Sequence, residues 1–587
     1  MKATKITSLI LAILLVAVSA ATLIVLPASA DSWDGTSVAT GFSGGKGTEA
    51  EPYLIGSAAE LAYLSASHDT IKAADESTPV YYKLTSDINL QNNAWAPIGS
   101  YTSKTEQKPF TGVFDGDNHT VSGLNVELAL DGSNSQAGLF GRGDGAVIKN
   151  VRVIGTKCVG AYCGGILGYG VNGCKVFNCY TKIEYVDGFA VGGVVGRSEA
   201  PKENGEIFGC ISDSTIIRKT FVSTKDSFVG GIVGVAGGCT VSYCASNTDI
   251  TLDYGDAEEG YAKATLMGGI IGCHGAGSAL VTVRFCYSTG TITGYTSGTK
   301  PTAGFAGGLI GRAGHVEGSK LENSFTTVTI KWTATKDATD TTTEDQAHFG
   351  SIVGQIKKQA SFKDCYALSD HFVGTDATTS TDLTAFKALT ESQMTGSEAF
   401  NNMNLKLNAN ELCAAAIAAA FENPNYYDSE LKAMEEFTDG KTIKEYMTAF
   451  VAANYTLPTD GDVWKVTPGD IPTINSDNID IAYKLNHIYS DVTAMIEAEL
   501  KVLDAKAKAA ATTTEEPPVD TPEDSGNTTS EVPSSSSNTT ATTPNPSSTT
   551  AGTAESGCAG CGGFTAVASL AALLVGSAAF VVVKKKF

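Results

Sequence analysis

The chain has 587 residues, 42% hydrophobic and 18% charged, enough apolar material for a large core or several domains and too much for a chain disordered throughout. With 41 Lys and Arg against 63 Asp and Glu the net charge is −22 and no long basic run offsets it, which argues against nucleic-acid binding, because neutralising phosphates takes clustered cations. The 63 glycines, about 11% against roughly 7% on average and without a collagen period, point to a turn-rich β architecture.

At the start, Lys2 and Lys5 precede an apolar stretch, and Ala28-Ser29-Ala30 supplies the small-residue pattern of a signal-peptidase site. Residues 1–30 are therefore read as a signal peptide, and residues 31–46 as a leader segment of an exported chain. Internal repeats follow. A glycine phrase recurs as GLFG from Gly138, GGILG from Gly164, GGVVG from Gly192, GGIVG from Gly230, GGIIG from Gly268, GGLIG from Gly307 and, more weakly, GSIVG from Gly350. Equivalent positions, from Gly138 through Gly165, Gly193, Gly231, Gly269 and Gly308 to Ser351, are 27, 28, 38, 38, 39 and 43 residues apart. Each phrase leads to a second marker, NVRV at Asn150, NCY at Asn178, GCI at Gly209, YCA at Tyr243, FCY at Phe285, NSF at Asn323 and DCY at Asp364. A unit this short cannot close a core of its own, and no stretch here keeps a 3.6-residue apolar period. The expected fold is mainly β, a parallel β-solenoid of roughly ten coils at ~4.8 Å each, whose glycines serve positive φ or close backbone approach.

These phrases and markers resemble the GLUG-motif repeats of bacterial cell-surface proteins. The resemblance extends upstream through GTEAEPYLIGSAAELAYLS from Gly47, YYKLTSDINL from Tyr81, WAPIGS from Trp95 and FTGVFDGDNHTVSGLNV from Phe110. It covers residues 47–369 and implies a right-handed parallel β-helix with a capping helix near residues 57–67; the solenoid is bounded at residues 47–378. Such a fold hosts both binders and polysaccharide enzymes, so the resemblance speaks to architecture.

Residues 379–510 read as a C-terminal α-helical cap with a closing strand segment. Helices are expected over residues 408–423, with Asn410 as N-cap, and over residues 429–437 and 441–454. VWKVTPGDIPTIN from Val463 reads as a closing coil. The spacing of Ile481, Leu485, Ile488, Val492 and Met495 predicts a final helix, packed on the cap or in a short coiled coil. Residues 511–556, rich in Ser, Thr and Pro, form a disordered stalk. Residues 557–587 form the anchor: Phe564 to Val583 carries no charge over 20 residues, long enough for one transmembrane helix, and Lys584, Lys585 and Lys586 mark the cytoplasmic side. The order of segments describes a single-pass cell-surface protein with an extracellular body, of Gram-positive type.

Cys179, Cys210, Cys244, Cys286 and Cys365 occupy one repeat position that Val151 and Ser324 fill elsewhere, as a buried ladder of small side chains would. The five-residue offsets of Cys158/Cys163, Cys174/Cys179 and Cys239/Cys244 leave local disulfides open. Asp115 to His119 lacks the closing Glu of a calcium loop and reads as a hairpin-type corner. No metal or cofactor site and no catalytic motif is identified. Arg142-Gly143-Asp144, an RGD triplet of the kind that docks integrins, is the candidate binding motif, and Arg197 and Arg312 stand at the same offset from their phrases. Tyr180, Tyr287 and Tyr366 form a second candidate row. The expected function is an adhesin-like interaction module for an extracellular glycan or protein ligand. The alternative is a membrane-tethered polysaccharide lyase or glycoside hydrolase on the same scaffold.

Overall fold

The computed structural model describes residues 33–513 apart from short internal stretches, the longest being 254–263, 335–347 and 370–385. The segments expected to be a signal peptide, residues 1–30, and a stalk beyond residue 513, and the apolar segment Phe564 to Val583, lie outside the described residues. No helix among the described residues is long and apolar enough to cross a membrane. The described chain forms two compact units: one runs to Ala409 and includes Pro458–His487, the other holds Asn410–Leu457 and the chain from Ile488 onward.

The first unit is a stack of parallel strands. Its largest sheet contains ten rungs from Tyr53–Ile55 to Ser361–Leu368, each hydrogen-bonded to the equivalent strand one coil on. At roughly 4.8 Å per rung this stack is about 45 Å long. One inward column, Tyr82, Phe114, Ile148, Val176, Ile207, Val241, Val283 and Leu321, runs through it in register and is buried throughout. No coil closes this core alone, which is why the repeats must stack. Ser57 caps the helix Ala58–Ser67 by accepting a hydrogen bond from the Glu60 amide, and Leu61 and Leu64 are buried beneath it.

Two seven-stranded parallel sheets carry the glycine phrases, one from Gln136–Ala137 to His348–Gly350 and one from Phe140–Asp144 to Val353–Ile356. Gly164, Gly192, Gly230, Gly268, Gly307 and Gly350 share a register column. None of these phrase glycines has positive φ, so close approach is their reason. A Cβ on Gly234 would lie 2.5 Å from the Val191 amide nitrogen, and one on Gly231 would fall inside the Ser246 hydroxyl and the Gly269 carbonyl. In the last rung Ser351 replaces glycine, and among the described residues no further strand stacks upon it.

Left-handed backbone appears instead at the second marker. Asn150, Asn178, Gly209, Tyr243, Phe285, Asn323 and Asp364 all have φ between 46° and 64°. Each turns the chain so that the next residue, Val151, Cys179, Cys210, Cys244, Cys286, Ser324 or Cys365, points into the core at no more than 2% exposure. Asn tolerates this conformation and links the corners, Asn178 Nδ2 donating to Asn150 Oδ1 at 2.9 Å and Asn150 Nδ2 to Asp115 Oδ1 at 3.0 Å. Asp115 to His119 is such a corner between consecutive strands of one coil, Val113–Asp115 and Thr120–Glu127, each of which pairs in parallel with a strand of the next coil, and not an antiparallel hairpin.

Several boundaries differ from expectation. Trp33 and Phe42, in the leader segment, pack on the first coils: Trp33 meets Trp95 edge-on at 5.8 Å and Phe42 stacks on Tyr53 at 4.8 Å. The strand Phe386–Leu389 adds a rung beside Ser361–Leu368, carrying the sheet beyond residue 378. The segment from Val463 does not close the stack. Trp464–Lys465 pairs antiparallel with Thr473–Ile474, and the indole lies about 6 Å from the rings of Tyr243, Tyr287 and Phe325 on the marker side. An aromatic cover over successive corners accounts for this placement. Tyr483 adds edge contacts to Phe177 and Phe208, both at 5.1 Å.

The second unit is helical, with Ala409–Phe421, Asp428–Met434, Ile443–Asn454 and the later part of Ile479–Thr513. Asn410 is inside the first turn of its helix and not its N-cap. Thr442 and Glu445 form a capping box, while Tyr446 and Tyr455 donate to Glu499 and Asp491. The buried stripe of the final helix is Ile488, Val492, Ile496, Leu500 and Leu503. Met495 is only half-buried, because a 3.6-residue turn drifts from a strict heptad.

Candidate functional site

Strand register places the outward residues of the second glycine sheet in one row. Arg142, Tyr169, Arg197, Val235, Cys273, Arg312 and Gln355 are lateral neighbours within strands, so three of the seven positions are Arg, and Val235, Cys273 and Arg312 among them are buried. The triplet Arg142-Gly143-Asp144 lies within the strand Phe140–Asp144. Gly143 is buried and pointed inward, where a Cβ would meet Cys174 Sγ at 3.0 Å. Arg142 and Asp144 face outward, and Asp144 Oδ1 accepts from Asn172 Nδ2 at 2.8 Å.

Three arginines of the row have different surroundings. Arg197 pairs with Glu199, which also accepts from the Tyr169 hydroxyl. Arg312 donates to Asp226 at 2.9 Å and to Gln355 at 2.6 Å, with its guanidinium over the Phe305 ring. Arg142 is held between two rings, 4.8 Å from Tyr101 and 4.7 Å from Tyr169. Burial pushes the Tyr169 phenol above its ordinary range, so this hydroxyl stays neutral and can donate to Glu199.

Tyr101 continues into an open groove of about 670 Å³ lined by Trp33, His68, Asp69, Trp95 and Lys108, beside the first coils. Both indoles are spoken for: Trp33 Nε1 donates to Ser37 O at 2.8 Å and Trp95 Nε1 to Leu139 O at 3.1 Å. Lys108 pairs with Asp69 at 2.9 Å and holds its carboxyl below the usual carboxylate range. These contacts fix the groove walls before any ligand arrives.

The side chains of the tyrosine row are engaged in packing, with Tyr366 buried and Tyr180 and Tyr287 half-buried. Tyr366 is 1% exposed, Tyr287 stacks on Phe325 at 5.2 Å, and Tyr180 lies under Arg152 while donating to Asp213 at 2.8 Å. All eleven cysteines among the described residues are free thiols, ten of them buried. The Cys163 thiol donates to Cys158 Sγ at 2.7 Å. Burial raises the thiols at Cys179 and Cys244 and pushes Cys365 up to about 12, so they behave as small apolar groups. Among the described residues no three His, Cys, Asp or Glu side chains converge in a way that could hold a metal ion. Tyr169 was legible at the sequence level, since it follows Gly165 by the four residues that separate Arg197 from Gly193. Tyr101 had no such signal.

Comparison with known protein families finds no match. Halomucin of Haloquadratum walsbyi is 33% identical over 183 residues, covering 28% of this chain and 2% of halomucin. The chain therefore spans only a small fraction of that relative. A crystal structure of a Bacteroides ovatus protein provisionally assigned as an immunoglobulin A1 protease aligns over 74% of this chain and 95% of its own, at 17% identity and a TM-score of 0.37.

Proposed function

We propose that the protein is an extracellular, surface-displayed binding protein of adhesin type, related to the GLUG-repeat proteins, anchored through residues 557–587 and presenting its solenoid to a glycan or protein ligand. The observation that carries this reading is the outward row of Arg142, Tyr169 and Arg197 beside the open groove at Tyr101, polar and aromatic groups fixed in register on a rigid stack. The location is an expectation from the sequence, and the stretch shared with halomucin is in keeping with it. Intact cells carrying the full chain test both parts. External protease should remove the body, and the protein should retain members of a glycan and protein panel without generating new reducing or unsaturated ends. A body that external protease cannot reach ends the display reading, and new chain ends replace the binder with an enzyme.

A further inference from the structure

Within the outward row, Arg197 and Arg312 each have a carboxylate of the protein beside them, Glu199 and Asp226. Arg142 makes no such pair: among the described residues its side chain makes no ion pair or hydrogen bond, and Asp144, which holds the register position of Glu199, accepts from Asn172 instead. Its guanidinium instead packs on two rings, 4.8 Å from Tyr101 and 4.7 Å from Tyr169. A guanidinium packed on aromatic rings keeps its in-plane N–H edge for recognition, and that edge matches a carboxylate in two-pronged fashion. Tyr101 connects this position to the groove.

Resting on the binding reading above, we infer that Arg142, which stands beside the groove behind Tyr101 and does not itself line it, reads the anion of a ligand seated there and takes the carboxylate of an acidic sugar at the end of an otherwise neutral glycan. Three observations select this ligand. The Tyr101 ring supplies an apolar face of the kind that packs on a sugar ring. A net charge of −22 repels polyanions, so a ligand with one carboxylate is favoured over a densely charged chain. A peptide strand would need a free backbone edge. Here Ser100–Tyr101 pairs with Gln107–Lys108 on one side, while Ile98 and Phe110 bridge to Phe140 and Gly143 on the other.

The test uses the full-length protein with three probes: a neutral oligosaccharide ending in glucuronic acid, its carboxyl-reduced counterpart, and a peptide with a free C-terminal carboxylate. The first should bind at least about 10-fold more tightly than the second, and Arg142→Gln should remove that difference, as loss of a charge-assisted pair does. Arg142→Lys keeps the charge without the fork and should recover only part of it. Arg152→Gln is the control, since Arg152 also stacks on one tyrosine but stands away from the groove, and it should leave binding unchanged. Circular dichroism of each variant guards against misfolding, and Arg142→Lys carries the test if Arg142→Gln does not fold. Equal losses in the Arg142 and Arg152 variants, or preference for the peptide, overturn the inference. Capture of other panel members with no response to the uronate ends this inference and leaves the binding reading standing. Capture of nothing in the panel ends both.

Discussion

At the phrase Gly230 to Gly234 the backbone keeps ordinary φ and glycine is required because a neighbouring strand occupies the space of any side chain. At Asn178, one corner away in its own coil, the backbone is left-handed and the side chain has room to bond Asn150. Both corners are punctuated by small or turn-forming residues, yet they tolerate different changes. The marker position accepts Asn, Gly, Asp, Tyr and Phe in this one chain, because what it needs is a conformation. The column of Gly231 is glycine from Gly165 to Gly308 and changes to Ser351 only in the last rung, because what it needs is emptiness. Tyr243 and Phe285 at the marker show how far this goes: aromatic residues hold left-handed φ while stacked on each other at 5.1 Å, with Trp464 beside Tyr243.

Swapping residues between the two corners should break this comparison if it is mistaken. Gly231→Ala should cause the largest loss, about 4 kcal/mol at the upper end of overpacking effects, and Gly231→Asn should be no better, because left-handed tolerance is irrelevant there. Urea titration of the two variants reads both effects.

A smaller effect sharpens the contrast from inside the second glycine sheet. His274 is fully buried beside Ala236 in register, its Nε2 3.1 Å from Val281 O, and burial lowers its pKa to about 4. Because the folded value lies below the unfolded value of 6.5, the unfolded chain binds the proton first as pH falls. The contribution of neutral His274 is therefore complete above pH 6.5 and lost progressively toward pH 4, on the order of 3 kcal/mol. Melting curves should show a shallower decline over this window in His274→Gln than in the natural protein.

Asn178→Gly should change stability by less than about 0.5 kcal/mol, since Gly209 already fills the equivalent corner, whereas Asn178→Val should cost about 1–2 kcal/mol. A larger loss in the glycine variant than in the valine variant would contradict a conformational role. The smallest effect is chemical: thiol titration after denaturation should find Cys179, Cys210, Cys244, Cys286 and Cys365 all reduced, and a mapped disulfide among them would show that the marker column is not a ladder of inward thiols.

The stacking was legible because phrase spacing and strand register are the same quantity. Gly192, Gly230 and Gly268 are 38 residues apart in sequence and adjacent in the sheet. The inward Cys column was legible from its alternation with Val151 and Ser324. The left-handed marker was not, because Tyr243 and Phe285 carry no turn signal and only Asn and Gly in the same column betray it. The folded position of Trp33 and the docking of Trp464 depend on tertiary contacts that no local pattern announces. At the candidate site, the shared offset of the arginines followed from repeat arithmetic, while the lack of an ion pair at Arg142 emerges only when Asn172 of the next coil is seen to bond Asp144.

The most direct test of the stack is a pair of distances. Lys175, Glu206, Thr240, Thr282, Lys320 and Ser361 are successive lateral neighbours, and Lys175, Lys320 and Ser361 are exposed. Spin labels attached through non-cysteine chemistry at Lys175 and Lys320 should lie about 19 Å apart, backbone to backbone, and those at Lys175 and Ser361 about 24 Å, one rung of roughly 4.8 Å further. Narrow distributions differing by one rung are the predicted result; broad distributions, or a Lys175–Ser361 separation exceeding the other by much more than one rung, would contradict a stack in which each repeat makes one coil.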